Sequence, residues 1–310
     1  MKVLISRLSS LGDVVCTLPV ASAIKSAIPD SHITWIVDER FAQVVRCCKA
    51  VDRVESARFT LSRKDWPVIS EEYDVALDMQ GLLKSALPVG LARAKRRLGY
   101  HWQREGAWFF SSAVKPDRTS LHVVDQYVDV GRAAGGKAEA AEFALDAQQA
   151  DLEIVKGKLK EQSVDRFVAI NPGAGWASKR WPLDNWAVLV SALKDRGERV
   201  LIIGGKAASE MEVAQQISEK TDGWPLVWVG QTGIGELIAT LQLCAAHVGG
   251  DTGSTHIAAA LNRPCVGLYS ITNPKRSCPY GQIDRCLYDR TEISRITPEA
   301  VLQKLEEVLA

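Results

Sequence analysis

Several common signatures are missing from this 310-residue chain. No apolar stretch approaches the ~20 residues of a membrane-spanning helix. The opening Met1-Lys2-Val3-Leu4-Ile5 turns polar at Ser6-Arg7, too soon for a secretory leader, so a cytoplasmic protein is expected. Charge of one sign is absent as well. Thirty-eight Lys+Arg against 37 Asp+Glu leave a net charge of +1, with no global basic field to hold duplex nucleic acid. The cysteines (Cys16, Cys47, Cys48, Cys244, Cys265, Cys278 and Cys286) are odd in number and include no C-x-x-C pair, which favours reduced, mostly buried thiols over a disulfide or zinc framework. No D-x-D and no His/Cys/carboxylate set with metal-ligand spacing occurs, and neither G-x-S-x-G nor G-x-x-x-x-G-K-[ST] is present. The first strand-to-helix turn, Ser6–Asp13, carries one glycine where a dinucleotide fold would place G-x-G-x-x-G, which argues against a nicotinamide enzyme.

What remains is an ordinary globular composition, 46% hydrophobic and 24% charged, with length for two domains at roughly 150 residues each. Short β-branched runs alternate with helical patterns, the signature of parallel α/β sheets. The first half offers strands at Val3–Ser6, Ile33–Val37, Val75–Asp78 and Arg97–Tyr100. A helix opening near Asp13 carries Val14, Leu18, Ala21, Ile24 and Ile28 on one face, with Pro19 as a kink. Glu139–Asp165 reads as a helical linker. Strands resume at Phe167–Asn171, Val200–Gly204, Leu226–Val229, His247–Gly250 and Cys265–Tyr269, with helices at Leu183–Arg196, Ser209–Glu219, Gly235–Ala245 and Pro298–Leu309, the last capped by Thr297. The pattern predicts two doubly wound, Rossmann-like domains, residues 1–160 and 161–310, facing each other across a cleft, with the terminal helix free to pack back on the first domain.

Polar clusters sit where predicted strands end. Asp13 follows the first strand, either as a helix cap or at the ligand-binding mouth of the sheet. Asp78-Met79-Gln80-Gly81-Leu82-Leu83-Lys84-Ser85 follows another strand, as a ligand loop or as a plain turn bent at Gly81. In Asn171–Pro182, the Gly173-Ala174-Gly175 run lets backbone amides approach an anion and Lys179 adds a point charge. Gly249-Gly250-Asp251-Thr252-Gly253-Ser254-Thr255-His256 runs into a small apolar helix and makes an anion site from free amides at its positive end. His256 reads as a packed histidine as readily as a catalyst. Glu210, in the first turn of another helix, suits the dipole and could also hold a ribose hydroxyl. Leu91–Ser120 carries Arg93, Lys95, Arg96, Arg97, Arg104, Lys115 and Arg118 against Glu105 and Asp117, with Arg58, Arg63, Lys64 and Trp66 adding a basic loop. The run is either a solvated face or a surface for an anionic acceptor or membrane.

Taken in order, S-x-x-G-D at Ser9–Asp13, D-x-Q-G-L-x-K-S at Asp78–Ser85, N-P-G-A-x-x-x-S-K-R-W-P at Asn171–Pro182 and D-T-G-x-x-H at Asp251–His256 resemble glycosyltransferase family 9, the ADP-heptose:lipopolysaccharide heptosyltransferases. Trp102-Gln103-Arg104-Glu105 followed by Trp108-Phe109-Phe110 is most similar to the subclass that adds the first heptose to Kdo on lipid A; the subclass acting on that first heptose is the nearest alternative. The resemblance implies a GT-B fold and an inverting, metal-independent transfer from ADP-heptose without a cofactor. It implies Asp13 as general base. It places Lys179, Asp251, Thr252, Gly253, Ser254 and His256 about the donor, Glu210 at the ribose, and Thr232 and Ile234 beside the adenine. Ser10, Gly12, Gln80, Lys84, Arg63, Lys64 and Arg104 fall on the acceptor side. A monomer at the cytoplasmic face of the inner membrane, with no nucleic-acid partner, is expected. A non-catalytic ADP-sugar-binding protein is the alternative of another class.

Overall fold

The computed structural model describes residues 1–58, 69–173 and 175–309, in two units, Met1–Asp146 and Ala147–Ala310. In the first, strands β1 (Lys2–Ser6), β2 (His32–Asp38), β3 (Arg53–Ala57), β4 (Glu72–Asp78), β5 (Arg93–Tyr100) and β6 (Ser112–Val114) form a parallel sheet in the order β3-β2-β1-β4-β5-β6. Helices α1 (Leu11–Thr17), α2 (Pro19–Ala27), α3 (Ala42–Arg46), α4 (Leu83–Leu91) and α5 (Val123–Ala133) accompany it. The central strand β1 is buried from Val3 to Ser6, as a strand covered on both faces must be. Its Leu4 lies with Ile36, Ala76, Val89 of α4 and Ala92 just beyond that helix in one apolar cluster.

The helix expected from Asp13 through Ile28 is two helices. Pro19 has no amide to donate to Val15; Leu18 donates there instead, at 3.0 Å, and Pro19 becomes the first residue of α2. The structure also adds strands that the sequence pattern did not suggest, β3 and β6 here and β12 below. All three are half-covered sheet edges; β6 and β12 are only three residues long, and β3 mixes Val54 with Arg53, Glu55 and Ser56.

The second unit contains α6 (Gln149–Glu161), β7 (Val168–Asn171), α7 (Leu183–Asp195), β8 (Val200–Ile202), α8 (Ala208–Lys220), β9 (Leu226–Val227), α9 (Ile234–Leu243), β10 (Ala246–Gly249), α10 (Gly253–Ala260), β11 (Cys265–Tyr269), α11 (Pro274–Ser277), β12 (Cys286–Tyr288) and α12 (Pro298–Leu309). Its parallel sheet runs β12-β11-β10-β7-β8-β9. The division between the units therefore falls after Asp146, not at residue 160. The helix read as a linker buries Val155 and Leu159, packs on α9, and pairs Lys158 with Glu236 at 3.0 Å. The terminal helix also belongs to the second unit. Val301 and Leu305 join the core built on Trp181, Trp186 and Leu189, and Arg166 reaches the Leu309 carbonyl at 2.8 Å. The Trp181 and Trp186 rings meet edge-on at 5.0 Å, and the Trp181 indole donates to the Ile296 carbonyl just before α12. The seven cysteines are all unbridged, six of them buried. Among the described residues no helix is long and apolar enough to cross a membrane.

Gly81 has φ +71°, and a Cβ there would lie 2.3 Å from the Trp102 carbonyl oxygen. Gly81→Ala should cost about 1–3 kcal/mol for the left-handed backbone alone, with the clash added, and lower the melting temperature by several degrees. A melt superimposable on that of the wild type would contradict this. His247, in β10, is fully buried, and burial pushes its pKa down from 6.5 to about 4. Protonation therefore favours unfolding. Stability is full above pH 6.5 and falls as the pH drops toward 4, by about 3 kcal/mol for this group. Denaturant titrations at pH 7.5 and 4.5 should show a shallower acid loss in His247→Gln than in the wild type.

Candidate active site

In an open parallel sheet, ligands bind beyond the carboxyl ends of the strands where the strand order reverses. The order of the first sheet reverses between β1 and β4, and that of the second between β7 and β10. The clusters of Asp13, Asp78, Asn171 and Asp251 follow these four strands, and that of Glu210 follows β8.

In the first unit, β1 runs into Arg7, whose side chain is only 6% exposed. Its guanidinium donates to the Met79 carbonyl beyond β4, lies over the Tyr127 ring of α5 at 5.2 Å, and pairs with Asp13 Oδ1 at 2.9 Å. Asp13 Oδ2 accepts from the Ser10 hydroxyl at 2.9 Å and the Ser10 amide at 3.2 Å. Asp13 is thus the capping-box partner of Ser10, the residue that caps α1, and at the same time 46% of its side chain stays open to solvent. Gln80 braces the loop in front of it. Its Oε1 accepts from the Leu8 and Ser9 amides at 3.0 and 3.3 Å, while Gln80 Nε2 and Lys84 Nζ both donate to Ser9 Oγ at 3.4 Å. Asp78 is buried, and burial pushes its pKa up; its Oδ1 accepts from the Gln80 and Gly81 amides, so this carboxylate shapes the turn. Ser10, Gly12, Asp13, Gln80 and Lys84 therefore share one edge of the sheet. Arg104 lies on the loop docked against it: its amide donates to the Gly81 carbonyl at 2.7 Å and its guanidinium sits over Trp102 at 5.7 Å. Arg63, Lys64 and Trp66 lie outside the described residues.

Much of the basic run serves the fold rather than a ligand. Lys95 pairs with Asp74 at 2.7 Å, Arg96 donates to the Ala133 carbonyl, and Arg97 donates to the Val89 and Ala92 carbonyls at the end of α4. Arg58 pairs with Glu39.

In the second unit, Lys179 follows β7 and Asp251 follows β10, and they meet at 2.7 Å. His256 Nε2 lies 3.3 Å from the other Asp251 oxygen. Burial works to raise the Asp251 pKa, but the hydrogen bonds and charges of His256 and Lys179 outweigh it and hold the carboxyl well below its usual range. Thr252 stands at the N-cap position of α10 without a side-chain cap bond, with Gly253 and Ser254 in the first turn, so amides and hydroxyls gather at the positive helix end. A hydroxyl net fixes that turn. Asn171 donates to Ser254 Oγ at 2.8 Å, Thr252 Oγ1 lies 3.0 Å from the same oxygen, and Thr255 donates to the Gly250 carbonyl at 2.7 Å. Beneath it His247 donates from Nδ1 to the Ala169 carbonyl at 3.1 Å, leaving Nε2 to accept from the Ser254 hydroxyl at 3.4 Å, with Thr255 Oγ1 lying 3.2 Å away. Glu210, at the start of α8, accepts from the Gly205 amide at 2.6 Å, and a Cβ at Gly173 or Gly204 would lie 2.9 Å from its Oε2. Thr232 and Ile234 stand half-exposed at the start of α9. Sequence reasoning gave no role to Arg7, Asn171 or His247, because each acts through a neighbour that only the strand order supplies.

Residues 65–304 match the family model for glycosyltransferase family 9 (heptosyltransferase). Lipopolysaccharide heptosyltransferase 1 of Escherichia coli O18:K1:H7 is 30% identical over 99% of this chain and 98% of its own length. Lipooligosaccharide heptosyltransferase 2 of Haemophilus influenzae is 28% identical over 78% of each chain. The solved structure of E. coli heptosyltransferase WaaC with ADP, 28% identical, superimposes with a TM-score of 0.81 over 99% of both chains. Two parallel sheets of GT-B type, each ending in a polar cluster at its point of reversal, agree with these likenesses, and the chain belongs to glycosyltransferase family 9, the heptosyltransferases.

Proposed function

We propose that this enzyme transfers L-glycero-D-manno-heptose from ADP-heptose to a Kdo hydroxyl of lipid A, with inversion and without a metal. The observation that carries the reading is the Asp13 carboxylate, open to solvent yet fixed by the buried Arg7 at the reversal point of the first sheet. The acceptor hydroxyl attacks the anomeric carbon, its proton passes to Asp13, and the bond to the diphosphate breaks with its electron pair leaving on ADP. Arg7 positions the base. Lys179 and the backbone from Thr252 to Thr255 receive the charge that grows on the leaving group. In the free enzyme Lys179 is held by Asp251, and an arriving diphosphate competes for it. His256 orients Asp251, Glu210 suits a ribose hydroxyl, and Thr232 and Ile234 suit the adenine. Ser10, Gly12, Gln80, Lys84 and Arg104, with Arg63 and Lys64, suit the anionic acceptor.

The ADP complex of the similar E. coli enzyme, and a further one with ADP-2-deoxy-2-fluoro heptose at TM-score 0.79, support the donor. The likeness to type 2 enzymes supports a second reading, transfer to the first heptose. A lipid-linked acceptor suits a peripheral protein on the cytoplasmic face of the inner membrane, and a monomer is the state proposed for it. Incubation with ADP-heptose and Kdo-lipid A, read by mass spectrometry, should give a singly heptosylated product. Acceptance only of an already heptosylated core would select the second reading, and donor binding without any product would leave an ADP-sugar-binding protein. Asp13→Asn should lose at least ~100-fold in kcat with the KM for ADP-heptose held within about threefold; near-normal turnover would remove Asp13 from the base role.

A further inference from the structure

Exposed large apolar side chains are unevenly spread over the first unit. Among its described residues they are Leu83, Leu91, Trp102, Trp108, Phe109 and Leu121. Leu83 and Leu91 begin and end α4. Trp102, Trp108 and Phe109 belong to the loop after β5, which is folded over that helix. Glu105 Oε2 accepts the Leu83 amide at 3.3 Å, and Arg104 donates to the Gly81 carbonyl. The Phe110 ring sits on Gly90, 2.3 Å from where a Cβ would stand. The loop is therefore seated by Phe110, while Phe109, the residue before it, is 79% exposed and lies tilted at 5.6 Å against Trp108, itself 55% exposed. Leaving these rings in water does nothing for the fold, since apolar area is stabilising only when covered.

The same layer is basic. Lys84 on α4, Arg93 just beyond it and Arg104 in the loop have no carboxylate within ion-pair distance among the described residues, and Arg104 lies over the Trp102 ring. The acidic residue of the loop, Glu105, is engaged by the Leu83 amide. Indole and phenyl rings beside unpaired cations suit the headgroup region of an anionic bilayer, where the rings take the apolar boundary and the cations meet phosphate. A protein partner would have to neutralise the cations as well as cover the rings.

We infer that α4 and the Trp102–Phe110 loop are the surface by which this enzyme docks on an anionic membrane, with Trp108 and Phe109 entering the headgroup boundary. This rests on the lipid-linked acceptor proposed above. It also suits the site, because the docked loop grips Gly81 beside Gln80, which braces the loop carrying Ser9 and Ser10 in front of Asp13.

The test uses the full chain and the double variant Trp108→Ser/Phe109→Ser. Co-sedimentation with phosphatidylcholine vesicles, with and without phosphatidylglycerol, is measured beside turnover of a water-soluble, deacylated Kdo acceptor. The wild type should prefer the anionic vesicles. The double variant should bind them at least about tenfold more weakly and keep turnover of the soluble acceptor within about twofold. Equal vesicle binding by both proteins would overturn the assignment of this surface. Absence of vesicle binding by the wild type, with soluble acceptor still turned over, would overturn membrane docking while leaving the transferase reading intact. Loss of turnover on the soluble acceptor in a normally melting variant, or self-association that the variant abolishes, would assign the loop to the acceptor or to a second copy and overturn the inference.

Discussion

A guanidinium group taken out of water must find compensation, and the placement of Arg7 depends on three groups that supply it. The Met79 carbonyl, the Tyr127 ring and the Asp13 carboxylate come from different parts of the first unit and converge on one side chain. Asp13 is one of three partners of the buried guanidinium and is itself 46% exposed, so the pairing supports the fold while remaining a feature of the site. The carboxylate is consequently held from both sides, Oδ1 by Arg7 and Oδ2 by Ser10, with nearly half of its side chain still open. A group so fixed needs little rearrangement to meet an acceptor hydroxyl.

The second unit solves a different electrostatic problem at the equivalent place in its sheet. A diphosphate needs donors that cost no reorganisation, and the start of α10 provides them as amides whose turn is tied down by Asn171, Thr255 and the neutral His247. Lys179 is different in kind. Asp251 keeps it in place before any anion arrives, so the cation is neither folded away nor left to wander. One unit thus exposes a held negative charge, and the other a held positive one.

Legibility in the sequence followed burial. β11 is apolar throughout and was read to the residue, as was α12, whose stripe and Thr297 cap are both local signals. The edge strands β3, β6 and β12 were not, because β6 and β12 are only three residues long and β3, paired on one side, mixes Val54 with Arg53, Glu55 and Ser56. The linker reading of α6 failed because two residues, Val155 and Leu159, are enough to bind an otherwise charged helix to α9. At the site, the loops were legible as motifs because glycine, lysine and carboxylate crowd the ends of strands. The role of Arg7 was not legible, since the pairing of β1 with β4 brings Met79 to it across 72 residues of chain. Much of the basic run misled for the converse reason: Lys95, Arg96 and Arg97 find a carboxylate or helix-end carbonyls that no linear reading displays.

The dependence of the chemical step on the buried pair is most directly measured by single-turnover heptosyl transfer in Arg7→Met and Arg7→Lys beside the wild type, with ADP affinity followed in the same preparations. Arg7→Met should slow the transfer at least ~10-fold while ADP binds as before, and Arg7→Lys should recover a large part of the rate because a cation again faces Asp13. A folded Arg7→Met protein that transfers heptose at the wild-type rate would contradict the role given to the pair.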